Sequence, residues 1–319
     1  MSSAISNLIF ISIGLILVAK GANWFVHGSS SLAKKLNVSE LAIGLTIVAF
    51  GTSSPELIVN IFAAIGNHPE LILSNVLGSN NLNLFVVLGV AGIITPLTVH
   101  SSTAWKEIPF SLIIVVVLAF LANGWFMNNI NQEISRIESI ILLGLFIFFL
   151  IYVYKQLILE NKTKKTDEKT LSGFQTWSKI IVGLAGLIIG GKIVVKNAID
   201  LAEILNVSEK IIGITIVALG TSIPELATSV TAAMRKNTDI AVGNIIGSNI
   251  FNILLVLPIS ALIRPITFNN AFNTEIYILG GGTLFLFITM YTGKIKKLDR
   301  WEAVILLAFY AGYTVKLLM

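Results

Sequence analysis

Residues 51–56 read Gly-Thr-Ser-Ser-Pro-Glu (GTSSPE), and residues 74–83 read Ser-Asn-Val-Leu-Gly-Ser-Asn-Asn-Leu-Asn (SNVLGSNNLN). Both stretches interrupt apolar sequence of bilayer-spanning length, and the first places Glu56 inside it. A carboxylate in hydrocarbon costs several kcal/mol unless it is paired, solvated or protonated, so a glutamate at that depth marks a functional site and calls for a partner. The partner comes 169 residues later. GTSIPE at 220–225 and GNIIGSNIFN at 243–252 repeat the two motifs, and the same offset carries NVSE at 37–40 onto NVSE at 206–209. The chain is therefore a gapless internal duplication.

Working outward from these motifs, the 319 residues are 55% hydrophobic and only 12% charged, with a mean hydropathy of +0.86. A soluble domain carries about a quarter charged residues, so the composition indicates an all-α polytopic membrane protein. With about 20 apolar residues per crossing, spans are expected near 5–27, 39–65, 70–95, 107–126 and 134–155. Five more are expected near 177–200, 208–234, 239–263, 273–292 and 299–318. The run from Leu8 continues past Trp24 without a basic leader, which reads as a retained span. The polar stretch with Lys162, Lys164, Lys165, Asp167, Glu168 and Lys169 divides the chain into a first five-helix repeat (1–158), a linker (159–176) and a second repeat (177–319).

Five spans per half is an odd number, so the second half must enter the membrane from the opposite side. The basic residues agree. Lys34 and Lys35 precede the first broken helix, whereas Arg235 and Lys236 follow the second. With the N-terminus outside, most of the 22 Lys and Arg fall in cytoplasmic segments; Arg136, Lys210, Arg264 and Lys316 fall outside, and Lys20, Lys192 and Lys196 within spans. Positive-inside bias thus predicts both termini outside, a cytoplasmic linker, and two inverted-topology repeats whose broken helices meet at the midplane. The net charge of +5 is an orientation signal rather than a nucleic-acid footprint. The absence of cysteine removes thiolate metal sites and disulfides.

The chemistry follows from the breaks. Proline removes an N–H and displaces the carbonyl four residues earlier, so Pro55 and Pro224 predict free carbonyls at Gly51 and Gly220. Thr52, Ser53, Thr221 and Ser222 add hydroxyls; Ser79 with Asn83, and Ser248 with Asn252, stand four apart and share a helix face. Carboxylate, hydroxyl, amide and carbonyl oxygens without His or Cys suit a hard cation such as Ca2+ or Na+. Bringing Glu56 and Glu225 together makes two like charges that a divalent ion neutralises at once. Gly44, Gly78, Gly213 and Gly247 read as close helix-packing positions.

These motifs resemble the two alpha repeats of the cation/calcium antiporter superfamily, in its prokaryotic sodium/calcium exchanger branch. The resemblance implies ten transmembrane helices and a secondary antiporter that exchanges Na+ for Ca2+ by alternating access, as the first and sixth helices slide across the rest. It implies Glu56 and Glu225 as central Ca2+ carboxylates, with backbone carbonyls from Thr52 and Thr221. It further implies Na+ sites at Ser53, Ser79, Ser222 and Ser248 with the Ala49 and Ala218 carbonyls, and Asn83 amid the cluster. One position departs: where many relatives have Asp, this chain has Asn252, which opens the Na+ stoichiometry, K+ use and coupling to H+. A proton/divalent-cation exchanger and, further off, a cation channel are the alternatives. No HExxH motif is present, and no enzyme activity or organic cofactor is expected. The transported ions and the lipid bilayer are the expected partners, and the expected state is a monomer in the plasma membrane.

Overall fold

The computed structural model describes residues 2–99, 103–124, 132–160, 171–204, 218–292 and 296–318. Twelve helical segments matter here, among them α1 (Ser2–Leu36), α2 (Glu40–Thr52), α3 (Ser54–Ile65), α4 (Pro69–Ile94), α5 (Ile108–Ala122), α6 (Arg136–Glu160), α7 (Gly173–Ile204), α10 (Thr238–Ile263), α11 (Asn273–Thr289) and α12 (Arg300–Leu318). The short α8 (Ala218–Thr221) and the 12-residue α9 (Ile223–Met234) complete the order. Among the described residues seven helices are long and apolar enough to cross a membrane, and the bent pair α2–α3 makes eight. Helices α9 and α12 stand where the seventh and tenth spans were expected without meeting that test. The charged part of the expected linker, and the start of the expected span at 208–234, lie outside the described residues.

Burial separates centre from periphery. In their most apolar stretches α4 is 72% and α10 83% buried, against 22% for α1 and 28% for α7. Helices α1 and α7, of 35 and 32 residues, exceed the length a crossing needs and pack against each other. Their seam is made of glycines. A Cβ on Gly14 would meet the Gly190 carbonyl oxygen at 2.9 Å, one on Gly21 the Gly183 oxygen at 2.8 Å, and one on Gly28 the Ile180 nitrogen at 3.0 Å. Rising positions on α1 face falling positions on α7, so the two run antiparallel with their backbones nearly touching.

The central helices use the same device. Gly44 abuts Gly243, whose own Cβ would meet the Leu41 oxygen at 2.8 Å, and a Cβ on Gly247 would stand 2.7 Å from Cβ of Ala49. The packing reading thus holds at Gly44 and Gly247. Around Gly78 no described atom stands within 4 Å of such a Cβ, and Gly213 lies outside the described residues.

Two ribbons of two-residue strands are an addition that hydropathy does not foresee. Strand β1 (Leu97–Thr98) pairs antiparallel with β4 (Lys297–Leu298), and β2 (Glu133–Ile134) with β3 (Ile266–Thr267). Each ribbon joins a loop of the first half to a loop of the second. Beside them, Arg300 Nε donates to the Ile93 oxygen at 3.0 Å and Arg136 Nε to the Leu262 oxygen at 3.1 Å. Carbonyl ends that α4 and α10 would leave unmet are satisfied this way.

Candidate ion-binding site

The two helix breaks have the same backbone. Ser53 sits at φ −83°, ψ 5° and Ser222 at φ −87°, ψ 5°, between the helices that end at Thr52 and Thr221 and those that restart at Ser54 and Ile223. The α2–α3 bend is 44°. Pro55 and Pro224 occupy the first turn of the restarted helices, where a missing N–H costs nothing. Glu56 and Glu225 follow in the same turn, a position the helix dipole favours for a negative charge.

Helices α4 and α10 are modified at the level of the site. A π-helical turn spans Leu82–Val87 in α4 and another Asn252–Val256 in α10, so Asn83 and Asn252 lie at their starts. A third occupies Gly44–Val48, just before Ala49. An inserted π turn lets one residue leave the regular ladder and is common at functional sites.

Cross-connections tie each half's break to the other half's straight helix. Thr52 Oγ1 donates to Asn244 Oδ1 at 2.9 Å and lies 3.3 Å from Ser248 Oγ. In the other half Thr221 Oγ1 donates to Asn75 Oδ1 at 3.2 Å and lies 3.5 Å from Ser79 Oγ. At the crossing, Asn80 Nδ2 donates to the Asn249 oxygen at 3.4 Å and Asn249 Nδ2 returns the bond to the Asn80 oxygen at 3.3 Å. Every one of these pairs maps onto its counterpart by the sequence offset.

The carboxylates break that symmetry. Glu225 Oε1 accepts from Ser53 Oγ at 3.1 Å and from Ser248 Oγ at 3.5 Å. Glu56 is 1% exposed, and neither of its carboxylate oxygens has a hydrogen-bond partner among the described residues; nor do Glu225 Oε2, Ser222 Oγ, Asn83 Oδ1 or Asn252 Oδ1. No Lys or Arg pairs with either glutamate among the described residues. A buried carboxylate without a donor or a cation costs several kcal/mol. These six unmet oxygens are hard donors of the kind Ca2+ takes. No three His, Cys, Asp or Glu side chains converge among the described residues, so the donors are mostly uncharged oxygens around two carboxylates.

Of the residues singled out from sequence, Thr52, Ser53, Ser79, Thr221, Glu225 and Ser248 are joined by these contacts, and Asn252 is tied to Asn80. Glu56, Asn83 and Ser222 are buried with unmet polar atoms, and Ala49 and Ala218 lie in the helical turns just before the breaks. Bracing residues were not foreseen. Asn60 Nδ2 donates to the Glu56 carbonyl at 2.9 Å, Asn244 Nδ2 to Ser229 Oγ at 2.9 Å, and Asn252 Nδ2 to Asn80 Oδ1 at 3.1 Å. The signal for Asn75, Asn80, Asn244 and Asn249 lay inside the motifs, as buried amides with no apolar reason to recur.

Three comparisons bear on this arrangement. The family model described as sodium/calcium exchanger protein matches residues 6–155 and 176–319. The chain is 36% identical to CaxA of Alkalimonas amylolytica over 96% of both sequences, and 33% identical to the sodium/calcium exchanger MaX1 of Methanosarcina acetivorans over 98% of both. A solved structure of the sodium-calcium exchanger NCX_Mj, soaked with 10 mM Na+ and 10 mM Sr2+, matches with a TM-score of 0.84 at 32% identity and 98% coverage of each chain.

Proposed function

The chain belongs to the sodium/calcium exchanger family, and from that premise we propose that it is a secondary antiporter in which Na+ moving down its gradient drives Ca2+ the other way through one shared site. The observation that carries this reading is the pair Glu56 and Glu225, buried at matching helix breaks with carboxylate oxygens that no protein donor satisfies. Ca2+ supplies the missing counter-charge in one state; several Na+ ions, spread over the carboxylates and the flanking oxygens, supply it in the other. Glu56 and Glu225 are the Ca2+ carboxylates, with the Thr52 and Thr221 carbonyls. Ser53, Ser79, Ser222, Ser248, Asn83 and Asn252, with the Ala49 and Ala218 carbonyls, are the surrounding ligands and Na+ positions.

The architecture that goes with this is ten spans in two inverted five-helix repeats, 1–158 and 177–319, joined by a cytoplasmic linker at 159–176, with both termini outside. The reciprocal Thr52–Asn244 and Thr221–Asn75 bonds, the Asn80–Asn249 exchange and the antiparallel α1–α7 seam support a two-fold axis in the membrane plane. A monomer in the plasma membrane contains both halves of the site. No enzyme chemistry or organic cofactor enters this reading.

Asn252 opens one alternative to it. With Asn at both 83 and 252, the site has two carboxylates and no third negative charge, so protons on Glu56 and Glu225 could replace bound Na+ as the coupling ions. The test is uptake of radioactive Ca2+ into proteoliposomes at clamped voltage. Uptake that requires internal Na+, and is absent with internal K+ or with a pH gradient alone, is the expected result. Uptake driven by the pH gradient without Na+ would replace Na+ coupling with H+ coupling.

A further inference from the structure

Away from the ion site, α11 and α12 enclose a groove with a polar end and an apolar continuation. The polar end is a cavity of about 680 Å3 lined by Thr274, Glu275, Gly312, Tyr313 and Lys316, among others. It shares Thr274, Ile278 and Phe309 with a second cavity of about 420 Å3, lined also by Phe85, Gly281, Phe285 and Ile305. Together they have the size of a site for an extended ligand. Glycines keep the groove open. Among the described residues nothing lies within 4 Å of a Cβ built on Gly281 or Gly312, so a larger residue at either position would project into it.

The polar end carries both signs of charge, held apart. The Glu275 carboxylate accepts from Asn81 Nδ2 at 2.9 Å and from the Tyr313 hydroxyl, two neutral donors that fix it and leave its charge unmatched. Lys316, exposed on the same cavity, forms no ion pair with it among the described residues. Both stand at helix ends, in the first turn of α11 and the last turn of α12. An acid and a base that share a cavity without pairing, with an apolar groove beside them, complement a zwitterionic amphiphile: a primary ammonium for Glu275, a phosphate for Lys316, and an acyl chain along Phe85, Phe285 and Ile305.

We propose that the α11–α12 groove, with Glu275 and Lys316 at its polar end, is a binding site for a phosphatidylethanolamine molecule. A phosphatidylcholine headgroup has no N–H to give Glu275, and a phosphatidylglycerol headgroup has no cation. Snorkelling of Lys316 to the interface is the bland account of that residue, but it leaves Glu275 and the glycine-lined floor without a role. The first half repeats the residue types at Lys106, Glu107 and Tyr152, yet there the ammonium lies 5.6 Å from the centre of the Tyr152 ring and the cavity holds only about 170 Å3. That cavity is too small for the same ligand. In the second half the groove touches the ion site's scaffold. Asn81 follows Asn80 directly, and Phe85 lies in the π turn that starts beside Asn83.

The test uses the full chain in phosphatidylcholine nanodiscs, with phosphatidylethanolamine or phosphatidylglycerol titrated in and bound lipid read by native mass spectrometry after release. The ammonium contact to Glu275 is the one phosphatidylcholine lacks, and one charge-assisted hydrogen bond corresponds to roughly tenfold or greater selectivity, so retention of phosphatidylethanolamine over phosphatidylcholine by about that factor is expected. Glu275→Gln should remove most of the preference, and Lys316→Met, which loses the phosphate contact the two lipids share, should lower retention of both. Because Glu275→Gln also alters the Asn81 contact, Gly281→Leu serves as a third variant: it fills the apolar groove, touches neither charge, and should lower retention of all lipids at this site. Equal retention of the two zwitterionic lipids by the parent protein, stronger retention of phosphatidylglycerol, a preference unchanged in Glu275→Gln, or retention unchanged in Lys316→Met and Gly281→Leu would overturn the proposal.

Discussion

Glu56, Glu138, Glu225 and Glu302 are all buried, and what their oxygens meet separates them. Glu138 Oε2 accepts from the Ser135 N–H and Glu302 Oε2 from the Asp299 N–H, both at 2.7 Å, as third-residue acids that cap the starts of α6 and α12. Those two are structural. Glu56 and Glu225 cap nothing, and their charge is left for something the protein does not contain. Asn252 is the residue whose replacement says most about that cargo. Its Nδ2 holds Asn80 while its Oδ1 is unmet, so Asn252→Asp gives up one neutral hydrogen bond and adds a third carboxylate. The added charge should lower the Na+ concentration for half-maximal exchange by roughly tenfold, the equivalent of about 1.4 kcal/mol, while Ca2+ uptake persists. The Na+ and H+ dependence of uptake in parent and variant measures this, and identical curves would contradict it.

At the scale of elements, the peripheral pair α1–α7 depends on backbone approach more than on side-chain packing. A Cβ on Gly183 would lie 2.6 Å from the Phe25 nitrogen and 2.8 Å from the Gly21 oxygen, and backbone cannot move aside as a flexible side chain can. Gly183→Leu should therefore cost ~1–3 kcal/mol or more by overpacking, read as a lower melting temperature in detergent. Gly144→Leu in α6, where no described atom lies within 4 Å of the Cβ, should leave it unchanged. Equal melting temperatures for the two variants would show that the seam does not bear on stability. Hydropathy located these helices because each is a long apolar run, and the proline motifs located the breaks because Pro at a fixed distance before Glu forces a restart. The π turns at Gly44–Val48, Leu82–Val87 and Asn252–Val256 were not legible. One extra residue per turn has no compositional mark and is set by how the neighbouring helices pack.

For the whole molecule, duplication explains why both halves are needed. The Thr52 hydroxyl is held by Asn244, Thr221 by Asn75, and Glu225 by Ser53, so each half completes the site of the other. The motif repeat carried this much in the sequence, since a fixed offset between two acid-bearing breaks predicts that they meet. The ribbons β1–β4 and β2–β3 did not show there, because two-residue pairings between distant loops leave no periodic pattern. The asymmetry between a supported Glu225 and an unsupported Glu56 was likewise invisible, as GTSSPE and GTSIPE differ only at Ser54 and Ile223, neither of which donates to the acid. On the function proposed above, these two carboxylates share a single divalent ion for which Na+ competes. Equilibrium binding of radioactive Ca2+ to the purified chain, with Na+ titrated in and Glu56→Gln and Glu225→Gln alongside, tests it most directly. The account predicts one Ca2+ per chain, displaced by Na+, and lost by at least about a hundredfold in affinity in either variant, since each removes half the charge that offsets dehydration of the ion. Binding indifferent to Na+, or retained in either correctly folded variant, would contradict it.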